Sequence, residues 1–185
     1  MGVTFAIAAG ALAWGFAEAT LFFVVPDVLL TLLIARGAPI RSGCVAAMFC
    51  AVGAVVGGLT MYAWGRSDPG VFAVLDGVPA ISSAMISEIK AEMAGSTWAS
   101  DMFSGAFAGE PYKVFAASAG AANLAVVPFV LTSFAARLSR FLLVVLAAKA
   151  LARALETCGK RAWALPVLIA FWVVFYAAFW SLMPN

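Results

Sequence analysis

Gly15-Phe-Ala-Glu-Ala-Thr-Leu-Phe-Phe-Val-Val-Pro-Asp27 sets two carboxylates, Glu18 and Asp27, in a run otherwise as apolar as a membrane span. An acid at mid-bilayer costs about 2.5–3.5 kcal/mol on insertion scales. Pro26 falls directly before Asp27, and a proline inside an apolar helix removes a backbone hydrogen bond and bends or ends the helix. Both costs in one stretch point to a broken element lining a polar cavity, not to a helix facing lipid.

Composition agrees with that setting. Of 185 residues, 65% are hydrophobic and only 11% charged, with a mean hydropathy of +1.05. Soluble domains carry about 25% charged residues, so the expectation is an all-α integral membrane protein, residues 1–185 forming a single membrane domain. A net charge of +2, without a basic cluster interleaved with aromatics, argues against nucleic acid. There is no histidine, which removes the commonest general base and metal ligand. Cys44, Cys50 and Cys158 form no CxxC and read as small packing residues. No metal site or cofactor is expected. The N-terminal run lacks the basic n-region of a signal peptide and reads as part of the mature chain.

Working outward, residues 3–34 are apolar apart from the two acids, and Gly10, Gly15 and Pro26 interrupt them. Two half-helices dipping in and out, a re-entrant hairpin near 10–35, fit better than one span. Arg36 and Arg41 close it around a Gly37/Pro39 turn. Residues 43–64 carry no charge and read as a transmembrane helix with a Gly53-x-x-x-Gly57 face. Tyr62, Trp64 and Arg66 mark its water interface. Residues 66–103 turn acidic, with Asp68, Asp76, Glu88, Glu92 and Asp101 against Arg66 and Lys90. Within them Ile81, Met85, Ile89 and Met93 predict an amphipathic helix over 81–95, lying at the membrane surface or over the fold. A solvated connector is the plainer alternative.

A second knot follows at Gly109-Glu-Pro-Tyr-Lys113, inside the apolar stretch 103–120, and predicts a second re-entrant hairpin. Residues 123–147 read as a second span, with Asn123 near its start and Arg137 and Arg140 on one face. A basic loop, Lys149 to Arg161, leads to a third span over 162–182. The positive-inside rule puts both basic segments in the cytoplasm and the C-terminus outside. The two interrupted segments then enter from opposite faces, as inverted repeats of transporters do.

Four pieces stand in order: Ala17-Glu-Ala-Thr20 with Pro26-Asp27; Gly53-x3-Gly57-x4-Tyr62-x2-Gly65-Arg66; Gly109-Glu-Pro-Tyr-Lys113 running into Ala119-Gly120; and Arg137-x2-Arg140-Phe141. On these the chain, over roughly residues 12–145, resembles the DedA family, whose shared unit is the SNARE-associated or VTT domain, and is most similar to its short branch. It departs from the family pattern in having one proline and Asp27 where a Pro-Gly-Glu is usual, and Lys113 where an arginine is usual. Lysine is a point charge without the bidentate fork. The resemblance implies a bacterial inner-membrane protein with two opposed re-entrant hairpins, associated with lipid scrambling or flipping of lipid-phosphate carriers and with proton-linked membrane homeostasis.

The candidate site residues are Glu18, Asp27, Glu110, Lys113, Arg137 and Arg140, with Arg66 and Asn123 secondary. A carboxylate away from water holds its proton to higher pH, and a nearby arginine reverses this. The two arginines can therefore alternate between an acid and an anionic lipid headgroup, with half-helix N-termini adding partial positive charge. The plainer reading is that these charges pair only to tie the hairpins to the bundle. Rival classes are a proton-coupled transporter of a small ion or solute and an accessory subunit docked through the amphipathic helix. An enzyme acting on headgroups lacks an evident nucleophile and base. The GxxxG face suggests a homodimer.

Overall fold

The computed structural model describes residues 5–182, and these are helical with no strand. In chain order they form α1 (Phe5–Ala19), α2 (Asp27–Ala35), α3 (Ile40–Ser67), α4 (Val71–Asp76), α5 (Ser83–Ala94), α6 (Trp98–Ala108), α7 (Tyr112–Ala121), α8 (Val126–Thr157), a 3-10 turn (Arg161–Trp163) and α9 (Ala164–Leu182). Among the described residues three stretches, Ile40–Ser67, Val126–Thr157 and Arg161–Leu182, are long and apolar enough to cross a membrane. At 1.5 Å per residue, α3 and α8 are about 42 and 48 Å long, longer than the ~30 Å hydrocarbon core. The first two residues of the apolar run 3–34 and the C-terminal Asn185 lie outside the described residues.

Two helix–break–helix pairs, α1–α2 and α6–α7, are built around α3 and α8. Gly15 on α1 lies against the carbonyl of Cys50, and Gly53 and Gly57 on α3 lie against the carbonyls of Leu12 and Phe16. At the other end of α3, Gly65 meets the carbonyl of Ala117, and Gly120 on α7 meets that of Tyr62. A Cβ at any of these positions would run into backbone. The glycines thus let α1 cover the first half of α3 and α7 cover the second half, both running in its direction. Their partners α2 and α6 run back along α8, with Asp27 against Arg140 and Met102 against Ser133. The pairs approach from opposite ends of α3, and their breaks, at residues 20–26 and 109–111, meet halfway.

The Gly53/Gly57 face is packed inside the fold against α1, the close helix packing that small residues at this spacing allow. The basic segment expected as a loop from Lys149 is helical to Thr157. Lys149 and Arg153 sit four apart there, so one helix carries both charges without ending. Of the four-apart series, Ile81, Ile89 and Met93 are buried and Met85 packs half-buried against the same core, and Ile86 is buried beside them. That stripe belongs to the same core cluster as Leu75, Met102 and Phe115. The helix lies over the fold, and its apolar face is covered by the chain itself.

Candidate functional site

The break after α1 leaves backbone polar groups that no helix satisfies, and three separate elements supply partners. Trp14 Nε1 donates to the carbonyl of Val24 (2.9 Å), Lys113 Nζ to that of Phe22 (2.6 Å), and the Val25 N–H donates to the Tyr176 hydroxyl (3.0 Å). One break is therefore held by α1, α7 and α9 together. The second break is shorter. Gly109, at φ 88°, ends α6 in the left-handed conformation that favours glycine, and Pro111 starts α7 where its missing N–H costs nothing.

At these broken ends the charges face one another. Glu18, in the last turn of α1, is ion-paired with Arg137 of α8, and both are buried. The Arg137 guanidinium also lies over the rings of Tyr112 and Phe141, at 5.1 and 4.9 Å from their centroids, where the ring faces attract a cation. Asp27, in the first turn of α2, accepts from Arg140 at its Oδ2, with Nη2 at 2.9 Å and Nε at 3.3 Å. Arg140 Nη1 reaches on to the carbonyl of Ala106 in α6 (2.7 Å), so this one side chain links both helix pairs. Asp27 sits where the helix dipole favours an anion. Glu18 at a C-terminus and Lys113 at an N-terminus sit where it disfavours them. Their positions are set by tertiary partners, not by their own helices.

Glu18, Glu110, Lys113, Arg137 and Arg140 line one cavity of about 140 Å³, together with Tyr176 and the loop Pro79-Ala80-Ile81. Ala80 there has a φ of 65°, unusual for a residue with a side chain. Three cationic and two acidic side chains line the wall, and Asp27, paired with Arg140 from just outside it, brings acids and cations to equal number. Lys113 has no carboxylate within ion-pair distance among the described residues, and its ammonium rests on a neutral carbonyl. Asp27 contacts this cavity only through Arg140. Its own wall belongs to a neighbouring apolar groove.

The two secondary candidates lie elsewhere. Arg66 is exposed in the last turn of α3, where a cation suits the helix dipole. Asn123 is exposed in the turn after α7 at φ 53°. Its N–H donates to Gly120 (3.0 Å) and that of Leu124 to Ala119 (3.0 Å), the hydrogen bonds of a left-handed helix cap. Sequence reasoning passed over Tyr112 and Tyr176. Tyr176 had a readable signal, a hydroxyl set within the apolar run of α9. Among the described residues no three acids or cysteines gather as a metal cluster requires.

The chain is 35% identical over 133 residues to an uncharacterized protein of Haemophilus influenzae, across 70% of this chain and 65% of that protein. It thus spans about two thirds of that relative's length. No family model matches the chain, and no solved structure does.

Proposed function

We propose that this is a multi-pass transport protein that passes the anionic headgroup of a phospholipid or lipid-phosphate across the bilayer, with α1–α2 and α6–α7 as re-entrant hairpins. The observation that carries the reading is the convergence of Glu18, Glu110, Lys113, Arg137 and Arg140 on one cavity where the two breaks meet. Charges at lipid depth, on chain that has stopped being helical, are tolerated where they line a polar space. Both arginines are already paired with carboxylates, and Lys113, held by a backbone carbonyl and no acid, is the cation left to meet an anion. The resemblance to the DedA family points to the same activity.

In the cycle we envisage, protonation of Glu18 or Asp27 frees its arginine, the arginine takes a phosphate oxygen, and the reverse exchange releases it on the far side. At about 140 Å³ the cavity lies below the ~300–1,000 Å³ of sites that enclose whole small molecules. It suits a headgroup fragment whose chains stay in lipid. The same size favours a second reading, transport of a small anion with no lipid attached. The basic ends, with Arg36, Arg41, Lys149, Arg153, Lys160 and Arg161, would face the cytoplasm of a bacterial inner membrane. The acid-rich segment 66–103 and the C-terminus would lie outside.

The test is translocation in reconstituted vesicles, followed with a fluorescent phosphatidylglycerol and an impermeant quencher. Wild type is expected to exceed protein-free vesicles at least tenfold, and folded Lys113→Met and Arg140→Gln to fall to the protein-free rate. Lipid-independent uptake of phosphate would favour the second reading. Rates equal to protein-free vesicles in both assays would reduce the ion pairs to structural ties.

A further inference from the structure

In the first helix pair α1 packs on α3 and α2 on α8, and the two arms leave a gap of about 380 Å³ between them. Ile7, Gly10 and Trp14 line it from α1, and Val28, Leu32 and Arg36, four apart on one face, line it from α2. From Val28 to Arg36 the wall runs about 12 Å. Gly10 widens the gap, since a Cβ there meets nothing within 4 Å. The Trp14 N–H is already given to the carbonyl of Val24. Below Arg36 the lining side chains therefore offer water no free hydrogen-bonding group, and hydrocarbon suits the space better.

One end of this apolar gap is charged. Arg36 is exposed, and among the described residues its side chain makes no hydrogen bond or ion pair. Arg161 covers the carbonyls of Ile34 and Ala35, so the C-terminus of α2 does not repel an anion brought to Arg36. Arg161 also opens the third of the long apolar stretches, and Ile40 opens the first. Arg36 thus lies at the end of the spans, at the depth of lipid phosphates. The same pole carries Arg41, Lys160 and Arg161 against Glu156. An acidic headgroup meets a positive field there, and its phosphate matches the guanidinium fork of Arg36. A second copy of the chain in the same membrane would bring its own basic pole to Arg36, which disfavours it as the occupant.

We propose that this gap binds an acidic phospholipid of the surrounding membrane, one acyl chain between α1 and α2 and the phosphate on Arg36. The site shares no lining residue with the headgroup cavity, and its occupancy is measurable whether or not vesicles show translocation.

The probe is phosphatidylglycerol brominated at mid-chain, titrated into purified protein in a neutral detergent, with brominated phosphatidylcholine and a brominated fatty acid as comparisons. Tryptophan quenching is read, and its loss in Trp14→Phe assigns it to the gap. Should Trp14→Phe fail to fold, Gly10→Phe, which fills the gap from the open side of α1, makes the same assignment. Phosphatidylglycerol is expected to quench saturably at a concentration about 5-fold below phosphatidylcholine, the effect of one arginine near a charged headgroup. Arg36→Gln is expected to remove most of that difference, and Gly10→Phe to remove the saturable part for both lipids. Lys113→Met, altered only in the headgroup cavity, is expected to quench as the wild type does. Equal saturation by the two phospholipids, tighter saturation by the fatty acid, an unchanged preference in Arg36→Gln, unchanged quenching in Gly10→Phe or its loss in folded Lys113→Met would overturn the proposal. So would a dimer in light scattering without saturable quenching, which would give the gap to a second copy.

Discussion

At the scale of the residue, the molecule is defined by which charge meets which. Glu18 and Arg137 are both buried, and a buried pair gains little over an apolar replacement, whereas breaking it leaves a lone charge. Glu18→Ala alone should cost about 3–5 kcal/mol in unfolding measured in detergent. Glu18→Leu with Arg137→Met should recover most of that loss, and a double variant as unstable as the single would mean the charges do more than pair. Outside the spans, Glu92 on α5 has its pKa raised, first by burial and then by the nearby carboxylates of Glu110, Asp101 and Glu88. A raised acid binds its proton more tightly folded than unfolded, so its ionisation opposes folding as pH rises through the folded value. Glu92→Gln should therefore stabilise the protein at neutral pH, and the difference should vanish below the usual carboxylate range. A pH series of melting temperatures reads it directly. The acids and arginines stood out in the sequence because charges are rare in an apolar chain. Their pairing did not, since Glu18 and Arg137 are 119 positions apart and either acid could have met either arginine. The Phe22 carbonyl that holds Lys113 was invisible for another reason, because a backbone oxygen becomes a ligand only where the helix breaks.

At the scale of the element, helices lie close because side chains are missing. Gly53→Ala, Gly65→Ala and Gly120→Ala each drive a methyl into the backbone of a neighbouring helix. Each should lower stability by about 1–3 kcal/mol, the usual cost of overpacking. Gly10→Ala meets nothing within 4 Å and should instead stabilise by about 0.5–1 kcal/mol through helix propensity. Melting temperatures of the four variants, compared in one detergent, check both signs. The long spans were legible from hydropathy, and the two breaks from Pro26 and Pro111. Less legible were α4, six residues long, and the start of α6 at Trp98, because residues 66–103 mix turn residues with a weak helical period. Asn123 looked like a polar residue entering a span and is instead the cap that ends α7, a role set by a left-handed φ.

At the scale of the whole molecule, two helix pairs reach in from opposite ends of α3 and present their broken tips to each other. The basic ends of α3 and α8 meet at one pole, where Arg161 donates to the carbonyls of Ala35 (3.1 Å) and Ile34 (3.3 Å). If that pole is cytoplasmic, a C-terminal reporter active only in the cytoplasm should stay silent, and activity would reverse the orientation. The central claim is that the space between the tips is wet although it lies at lipid depth. The direct measurement is cysteine labelling in vesicles with a membrane-impermeant charged thiosulfonate, after Cys44, Cys50 and Cys158 are replaced by alanine. Val25→Cys and Phe179→Cys, which line the cavity, should react. Leu131→Cys, exposed on the apolar face of α8, should not. Equal protection of all three positions would mean that the charges are sealed in a dry core, and would contradict the account.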